Sequence, residues 1–410
     1  MVLNILKNTF KNKNRNYVFL AQIVNAIIAL LSGKLIALYI IPKDFGEYNL
    51  HFAAYTFFAT LIISPFIQFI KSTNITLLPK IGSKPYIITF IILILIAYFS
   101  IIAFLHLYYE LNDLKLIFII LFYISFATIN NILCNYLNVQ NKLIAFSKLS
   151  VLQSLSGLVF LVLFFSLGLS FVKDPQLLWL MQLFGITIGL TFFIKQYKIF
   201  RSAFKITYTR FLKKYFQFAG PLMFLAIWAW INNYFDRYAI EYYLSIENVG
   251  VYNASYGLGS KIFLLVSPIF MVLLTPQVYA AVKKEKKKKA ITKYAFYYAL
   301  IALPILATVY FLKNFIGKLL LSESYKDGFH IIFWIALAYF ILTLSYLFES
   351  LFYSEQKTRI IMIANIVSAI INVMFNIILI PLYGITGATF ATCLGFMIHF
   401  LIIYLNFKKL

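Results

Sequence analysis

The feature of this sequence that most constrains its fold is a succession of long apolar runs. Short basic segments separate the runs, which are rich in Phe, Ile, Leu and Tyr. Each run has roughly 20 or more residues, enough for a helix to span the hydrocarbon core of a bilayer. Charged residues make up only 12% of the chain, about half of their share in a soluble domain. The sequence therefore predicts an all-α polytopic membrane protein.

Twelve transmembrane spans are expected along the chain. The longest segment between two of them falls near the middle of the sequence. It separates an N-terminal six-helix half, residues 1–205, from a C-terminal six-helix half, residues 206–410. The expected spans lie near 17–41, 46–70, 85–108, 114–139, 143–169, 175–196, 218–243, 250–280, 291–316, 328–353, 359–382 and 384–407.

The distribution of basic residues orients these spans. When the N-terminus is placed in the cytoplasm, 27 of the 36 basic residues fall in cytoplasmic segments and six fall in outer loops. Cytoplasmic loops of membrane proteins carry such an excess of Lys and Arg, so both termini are expected in the cytoplasm. The net charge of +23 is spread over these loops and does not form the concentrated groove that binds nucleic acid. The densest run, 283–289, is expected to contact anionic membrane lipids.

A short motif, Gly-x-Tyr-Asn, occurs twice, as GEYN at 46–49 and as GVYN at 250–253, 204 residues apart. Each copy opens the second span of its half and is followed by a proline, Pro65 or Pro268. Because proline removes a backbone hydrogen bond, both helices are expected to bend at a similar depth. Six spans per half preserve orientation, so the repeat favours two parallel halves around a central cavity. The alternative is chance recurrence in a biased composition.

Three stretches of this chain resemble a known family. Residues 236–255 contain DRY, LS and VGVYNAS, residues 41–48 read IPKDFGEY, and residues 383–389 read YGITGAT. In this order, and with twelve spans, they resemble polysaccharide flippases of the Wzx type. Their superfamily also holds MATE multidrug transporters and lipid II flippases. The chain has no room for the two further helices usual in lipid II flippases, and Lys34 stands where MATE proteins usually carry an acidic residue in the first span.

This resemblance, which covers essentially the whole chain, implies a MATE-like fold and a function. The implied flippase moves undecaprenyl-pyrophosphate-linked oligosaccharide from the cytoplasmic to the outer face of a bacterial inner membrane by alternating access. Its product would feed surface polysaccharide such as the O-antigen of lipopolysaccharide, with other polysaccharide-assembly membrane proteins as partners. No covalent chemistry is implied, so the protein is not expected to be an enzyme.

Two other function classes are weighed against this one. A cation-coupled multidrug exporter of the MATE type uses the same fold, but cations inside the spans argue against it. A membrane polymerase or glycosyltransferase needs a sizeable outer loop or an acidic metal-binding motif such as D-x-D, and the sequence has neither.

Once the basic residues of the loops and span ends are assigned, three remain within the expected spans: Lys34, Arg237 and Lys261. A charge within a span costs at least a few kcal/mol, so it normally faces a cavity or a partner. At 1.5 Å per residue, Lys34 lies about 10 Å below the outer end of its span, and Arg237 lies about 24 Å from the cytoplasmic entry of its own. Lys261 lies about 14 Å into span eight. We expect these cations to line the central cavity and to bind the pyrophosphate of the substrate.

Each of the first two cations has a simpler alternative. Lys34 is placed so that it can snorkel to the outer interface, and Arg237 can pair with Asp236 or Glu241 as a helix-end anchor. Neighbouring residues on a helix point about 100° apart. Asp236 is therefore expected to pair with another helix, through Lys34 or Lys261. Lys261 lies deepest and is the hardest to explain without a ligand.

Among the carboxylates, Asp236 and Glu349 likewise remain within the expected spans. Glu349 lies near the cytoplasmic end of span ten, so it is either an interfacial residue or a gating or proton site. Coupling to H⁺ or Na⁺ would use one of these two residues. The histidines and the two cysteines show no metal-ligand spacing, and no cofactor is expected.

Overall fold

The computed structural model describes residues 13–73, 83–168, 174–193 and 208–409. Within these ranges the chain forms twelve long helices: α1 Lys13–Tyr39, α2 Pro42–Phe58 and Ser64–Thr73 joined by a π-helical turn at Ala59–Ile63, α3 Ser83–Tyr109, α4 Leu114–Val139, α5 Leu143–Ser166, α6 Asp174–Phe193, α7 Tyr208–Tyr243, α8 Ile246–Ala280, α9 Lys284–Leu320, α10 Ile331–Ser354, α11 Thr358–Tyr383 and α12 Ile385–Lys409. A short 3-10 helix, Glu323–Gly328, lies between α9 and α10.

The expected all-α polytopic fold is confirmed. Eleven of the helices in the described ranges are long and apolar enough to cross a membrane. The twelfth, α7, has 36 residues and is therefore long enough to span a bilayer, although Trp, Tyr and Asn residues make its sequence less apolar. The twelve helices coincide with the twelve expected spans. The expected border at 205/206 and the basic residues in 1–12, 74–82, 169–173 and 194–207 lie outside the described residues.

The chain divides into two compact units. Unit 1 comprises Met1–Leu35 and His51–Ile227, and unit 2 comprises Ile36–Leu50 and Trp228–Leu410. The first turns of α2 therefore belong with unit 2, and the first half of α7 belongs with unit 1. The last residues of α1, from Ile36, also belong with unit 2, so three helices are divided between the units. The hydropathy pattern alone does not reveal this division.

Aromatic rings form the core of unit 1. The indole of Trp179 on α6 lies 4.9 Å from the ring of Tyr123 on α4, measured between ring centroids. It also contacts Tyr55 and Phe52 on α2, each at 5.7 Å. Such edge-on and tilted arrangements add to the stabilisation that comes from burial alone. Trp179 is fully buried and holds α2, α4 and α6 together.

Unit 2 has a similar aromatic centre around Tyr298 on α9. The Tyr298 ring stacks on Phe340 of α10 at 5.4 Å, and its hydroxyl donates to the Phe340 carbonyl at 3.2 Å. Phe270 and Phe263 of α8 close over the same ring at 5.3 and 6.4 Å. The hydroxyl of this buried tyrosine is thus satisfied, and α8, α9 and α10 share one core.

The YGITGAT stretch forms the turn between α11 and α12. Gly384 caps α11 with φ +59°, a left-handed conformation that glycine adopts without a steric penalty. A Cβ at Gly387 would lie 2.1 Å from the Leu379 carbonyl oxygen. Both glycines are therefore required for α12 to return closely along α11.

The two copies of the Gly-x-Tyr-Asn motif contact each other through their glycines, in a part of the fold that lies entirely in unit 2. A Cβ at Gly46 would lie 2.0 Å from the carbonyl oxygen of Ile246. A Cβ at Gly250 would lie 1.8 Å from the carbonyl oxygen of Pro42. Residues 42 and 246, like residues 46 and 250, are 204 positions apart. The contact is therefore reciprocal, as at an isologous interface on a two-fold axis.

The asparagines of the two motifs are also equivalent. The Asn49 amide donates to the Phe45 carbonyl at 2.6 Å, and the Asn253 amide donates to the Val249 carbonyl at 3.0 Å. The donors and the acceptors are again 204 residues apart. This local correspondence is what an internal duplication predicts.

The prolines beyond the motifs differ in their surroundings. Pro65 lies two residues after the π-helical turn at Ala59–Ile63 in α2, whereas α8 runs without interruption from Ile246 to Ala280 through Pro268. A π turn accommodates one extra residue and often marks a functional position. The correspondence between the copies therefore does not extend to this irregularity.

The glycine crossing can be tested by adding one methyl group. We expect Gly46→Ala and Gly250→Ala each to destabilise the protein by about 1–3 kcal/mol, the usual cost of overpacking. Thermal unfolding of the purified full-length protein in detergent measures this effect. The matched control is Gly257→Ala on the same helix as Gly250, because a Cβ there meets nothing within 4 Å. A crossing variant that unfolds at the same temperature as the control would contradict the close contact.

The start of α9 is joined to the end of α10 by an ion pair. Lys287 Nζ lies 2.7 Å from Glu355 Oε1, and this hydrogen bond lowers the pKa of the Glu355 carboxyl from its ordinary value of 4.5. A lowered pKa in the folded state stabilises the fold above pH 4.5, and the contribution is lost as the pH falls through the lowered value. The Glu355 side chain is 28% exposed, so solvent screening limits the contribution.

We therefore expect Glu355→Gln to cost at most about 1 kcal/mol at neutral pH. The unfolding temperatures of the variant and of the wild type should converge as the pH falls below the lowered pKa of the carboxyl. A difference that stays constant over the whole acid range would show that the carboxylate charge does not contribute.

Candidate functional site

The first candidate site is a buried charge pair on α7. Arg237 Nη1 lies 2.6 Å from Asp236 Oδ1, and the two side chains are 8% and 4% exposed. The same guanidinium donates through Nε to Asn253 Oδ1 at 3.0 Å and through Nη1 to the Asn233 carbonyl. Asp236 Oδ2 accepts a hydrogen bond from the Tyr252 hydroxyl at 2.6 Å. The carboxylate is thus bonded on both oxygens, as a buried charge requires.

Three tyrosine rings surround the guanidinium. Arg237 Cζ lies 4.6 Å from the ring centroid of Tyr256, 5.2 Å from that of Tyr234 and 5.8 Å from that of Tyr252. The faces of aromatic rings attract cations at such distances. The Tyr256 hydroxyl is in turn 3.0 Å from the Tyr339 hydroxyl on α10. Helices α7, α8 and α10 therefore meet around one arginine.

The expected partner of Asp236 is wrong. The sequence favours pairing with Lys34 or Lys261 on another helix, because adjacent side chains diverge on a helix. In the structure Asp236 pairs with its neighbour Arg237, because the long arginine side chain can turn back to the carboxylate. The alternative in which Arg237 pairs with Asp236 is confirmed, so the charge of Arg237 is largely neutralised within unit 2.

Lys261 lies on α8 and is partly buried. The described residues provide no ion pair and no hydrogen bond for its ammonium group. An ammonium group without a protein partner inside a membrane-spanning helix is costly and normally faces water or a ligand. Of the two expected cations in unit 2, Arg237 is paired with Asp236, and Lys261 has no ion-pair partner among the described residues.

Lys34 lies on α1 in unit 1, where it is also partly buried. Arg237 and Lys261 both belong to unit 2. The structure thus brings Arg237 close to Asp236, and it places Lys34 in a different compact unit from the other two cations.

Glu349 is buried against α12. Its side chain is 5% exposed, and its Oε1 lies 2.6 Å from Nε2 of His399, whose side chain is 4% exposed. Glu349 is on α10 and His399 is on α12, so the pair joins two spanning helices of unit 2. The interfacial alternative concerns depth in the membrane and the other concerns gating or proton movement, and both stay predictions.

Sequence reasoning missed His399 and the tyrosines around Arg237. A lone histidine and a lone carboxylate in two apolar helices are a signal, because each needs a partner there. Tyr252 and Tyr256 lie four residues apart on α8 and therefore share one helical face. Tyr339 has no comparable signal, since its contact with Tyr256 depends on how α8 and α10 pack.

Buried amides and hydroxyls continue the polar part of unit 2 along α11. Asn376 donates to the Asn372 carbonyl at 2.9 Å and to Asn372 Oδ1 at 3.0 Å. The Ser368 hydroxyl reaches Asn232 of α7 at 3.3 Å and the Gly395 carbonyl of α12 at 2.9 Å. These side chains mostly satisfy each other, which favours a role in joining helices. The Asn376 Oδ1 atom is buried without a hydrogen-bond partner.

Comparison with protein families shows to which family the chain belongs. A family described as polysaccharide biosynthesis protein matches residues 12–277. The chain belongs to this family. The match covers α1 to α7 and nearly all of α8, and it therefore includes Lys34, Asp236, Arg237 and Lys261. No curated protein matches the chain.

Solved structures show the fold on which this family member is built. An inward closed conformation of the lipid II flippase MurJ matches with a TM-score of 0.70 at 16% identity, over 96% of this chain and 87% of that chain. An inward-facing MATE family multidrug resistance transporter of the MOP superfamily matches with a TM-score of 0.69 at 14% identity, over 94% of each chain. A MOP superfamily transporter from Pyrococcus furiosus, described by the reverse polarity of its binding pocket, matches with a TM-score of 0.58 at 14% identity, over 96% and 93%. At these identities the likeness shows the fold alone, and this fold is used by flippases and transporters.

The buried pair of this family member can be tested by double substitution. Removing one partner of a buried ion pair costs about 3–5 kcal/mol, because the other charge is left unpaired. We expect Asp236→Asn and Arg237→Gln each to lower the unfolding temperature strongly. The double variant should be destabilised by less than the sum of the two, because it leaves no unpaired charge.

The matched control for this test is the exposed pair formed by Lys318 and Glu323, which are 3.7 Å apart with side chains 65% and 71% exposed. Lys318→Ala should change stability by less than about 1 kcal/mol. Additive effects of Asp236→Asn and Arg237→Gln would contradict their direct coupling.

Proposed function

We propose that this protein is a Wzx-type flippase of a bacterial inner membrane. It moves undecaprenyl-pyrophosphate-linked oligosaccharide from the cytoplasmic to the outer face, for assembly of surface polysaccharide such as the O-antigen of lipopolysaccharide. Membership of the polysaccharide biosynthesis family supports this pathway, and the similarity in fold to a lipid II flippase supports a lipid-linked substrate. The observation that carries the proposal is Lys261, an ammonium group inside a span that has no partner among the described residues.

The charge of Lys261 defines the kind of substrate that fits. An unpaired cation in a span is stabilised when an anion approaches it, and a charge-assisted hydrogen bond to phosphate is among the strongest that a side chain makes. A pyrophosphate group supplies several such oxygens. A sugar without a phosphate would leave the ammonium group unpaired.

Arg237 and Lys34 complete the proposed set of substrate-binding cations. Nε and Nη1 of Arg237 are used by Asn253, Asn233 and Asp236. Its Nη2 makes no hydrogen bond to a described residue and remains available to an anion. Because Asp236 already neutralises this guanidinium, Arg237 is expected to contribute less than Lys261. Lys34 contributes from unit 1 and is tested separately.

The remaining parts of the proposal concern orientation and coupling. Both termini are cytoplasmic, so the lysine-rich run at 283–289 lies against the anionic lipids of the inner leaflet. Other membrane proteins of polysaccharide assembly receive the flipped product. Asp236 and Glu349 are the candidates for coupling export to H⁺ or Na⁺. No covalent step is proposed, and hence no enzymatic activity.

The second candidate function is a cation-coupled multidrug exporter, which the similarity in fold to MATE transporters favours. Lys261 distinguishes the two, because an unpaired ammonium group repels a cationic drug and attracts a phosphate. A cell that lacks the gene should therefore lose surface polysaccharide while its resistance to cationic drugs stays unchanged. Loss of drug resistance alone would favour the exporter.

Charge removal tests the flippase directly. We expect Lys261→Ala to lower surface polysaccharide by about tenfold or more, since a hydrogen bond to a charged group is worth about 1.5–3 kcal/mol. Lys34→Ala and Arg237→Ala should have smaller effects. Export is measured as surface polysaccharide in a deletion strain complemented with each variant, with immunoblots to confirm equal amounts of protein in the membrane.

Two controls make this result specific. Lys261→Arg keeps the charge and should retain part of the export, and Lys318→Ala removes an exposed lysine and should retain all of it. Normal surface polysaccharide in all three alanine variants of the proposed cations would overturn the proposed binding site. Normal polysaccharide in the deletion strain itself would overturn the flippase function.

A further inference from the structure

The hydrogen bond between Glu349 and His399 joins two side chains that can gain or lose a proton, in the interior of unit 2. His399 lies 14 residues after the start of α12 and ten before its end, about 15 Å or more from either terminus of the helix. Glu349 lies five residues before the end of α10, about 7.5 Å along the helix axis. Both side chains are almost completely buried. A structural role alone does not require two titratable groups at this place.

Aromatic side chains pack beside the pair. Phe348, the neighbour of Glu349, packs against Phe400, Tyr404 and Phe407 of α12, with ring centroids 5.9, 5.4 and 4.8 Å away. Among the described residues, no lysine or arginine forms an ion pair with either member. The pair therefore has to balance its own charge.

The other titratable groups around the pair are tyrosines and the ion pair between Lys287 and Glu355. Tyr346 and Tyr353 on α10 interact electrostatically with Glu349, and Tyr279 of α8 interacts with Tyr353. From α9, Lys287 is bound to Glu355 beyond the end of α10. Within the described part of α11 no charged side chain is paired with Glu349 or His399. Tyrosines stay neutral near pH 7, so they do not supply a countercharge.

Counting protons shows which state of the pair suits burial. With no proton to share, a carboxylate and a neutral imidazole carry a net charge of −1. With one proton they are neutral as a whole, either as carboxylate and imidazolium or as carboxylic acid and imidazole. With two protons they carry +1. Burial in apolar surroundings favours the neutral state with one proton, whereas contact with water permits its loss.

The imidazole also offers a route by which the proton can move. Its Nε2 is held by Glu349 Oε1 at 2.6 Å, while its Nδ1 makes no hydrogen bond to a described residue. A histidine that is bound on one nitrogen can exchange a proton with water on the other. The hydrogen bond between Oε1 and Nε2 can thus hold a proton, and Nδ1 is the atom from which a proton can be released.

We propose that Glu349 and His399 form a proton-binding site that couples proton movement to export. The pair holds one proton while α10 and α12 are closed around it, and it releases that proton when water reaches His399. Of the coupling ions left open above, this assigns H⁺, and it adds His399 as the partner of Glu349. The inference rests on the proposed function only in that export is the step that the proton drives.

Proton binding can be measured on the purified full-length protein without any glycan. Infrared difference spectroscopy of the protein in lipid vesicles, titrated between about pH 5 and 8 where histidine changes charge, reports protonation of carboxylic acids. Proton uptake in the same range is measured with a pH indicator dye. We expect the wild type to take up one proton at this site, and Glu349→Gln and His399→Gln each to lose that uptake. Glu355→Gln, which removes a neighbouring carboxylate outside the span, should retain it.

A second set of variants separates proton binding from packing. The exchange variant, Glu349→His combined with His399→Glu, restores both groups and should recover proton uptake and part of the export that the single variants lose. Wild-type protein without this titration, or uptake that persists in both glutamine variants, would overturn the site. Normal, pH-independent export by Glu349→Gln in cells would overturn the coupling. If the deletion strain keeps its polysaccharide while the purified protein still titrates, the flippase function fails and the proton site stands.

Discussion

The close contact between Gly46 and Gly250 is the constraint on which the arrangement of unit 2 depends. Each glycine lies against a backbone carbonyl on the opposite helix, at a distance that leaves no space for a side chain. Close backbone approach of this kind is the usual means of helix association in membranes, where apolar burial drives association less than it does in water. The contact is reciprocal at a spacing of 204 residues. Through it, the start of α2 packs within unit 2.

The charged and titratable side chains of the candidate site in unit 2 form three groups, which differ in what balances their charge. Arg237 and Asp236 are bound to each other and to the surrounding polar groups, so their charges are structural in the absence of a ligand. Glu349 and His399 are bound to each other, but their charge depends on a proton. Lys261 has its charge and no partner among the described residues. In the proposed function, the first arrangement holds the helices together, the second switches and the third binds the substrate.

The long apolar runs were sufficient to predict the helices, because hydrocarbon leaves a spanning backbone few alternatives to the α-helix. The repeated Gly-x-Tyr-Asn motif was likewise visible in the sequence. The pairing of charges was predicted less well. Neighbours on a helix diverge, so nothing in the spacing of Asp236 and Arg237 shows that the arginine turns back. The contact between Glu349 and His399 depends on the packing of α10 against α12, which hydropathy does not encode. The exchange of parts of α2 and α7 between the units depends on tertiary contacts in the same way.

The position of Asn253 and Tyr252 within the second motif has a consequence for how such a protein can diversify. One turn of α8 both spaces the helices, through Gly250, and holds the charge pair, through Tyr252 and Asn253. A substitution in this turn therefore affects two requirements at once, so that the turn has little freedom to vary. Under the proposed function, adaptation to a different glycan is then directed to positions that carry a single requirement. Members of the family should then differ at those positions while keeping the same few residues at the crossing.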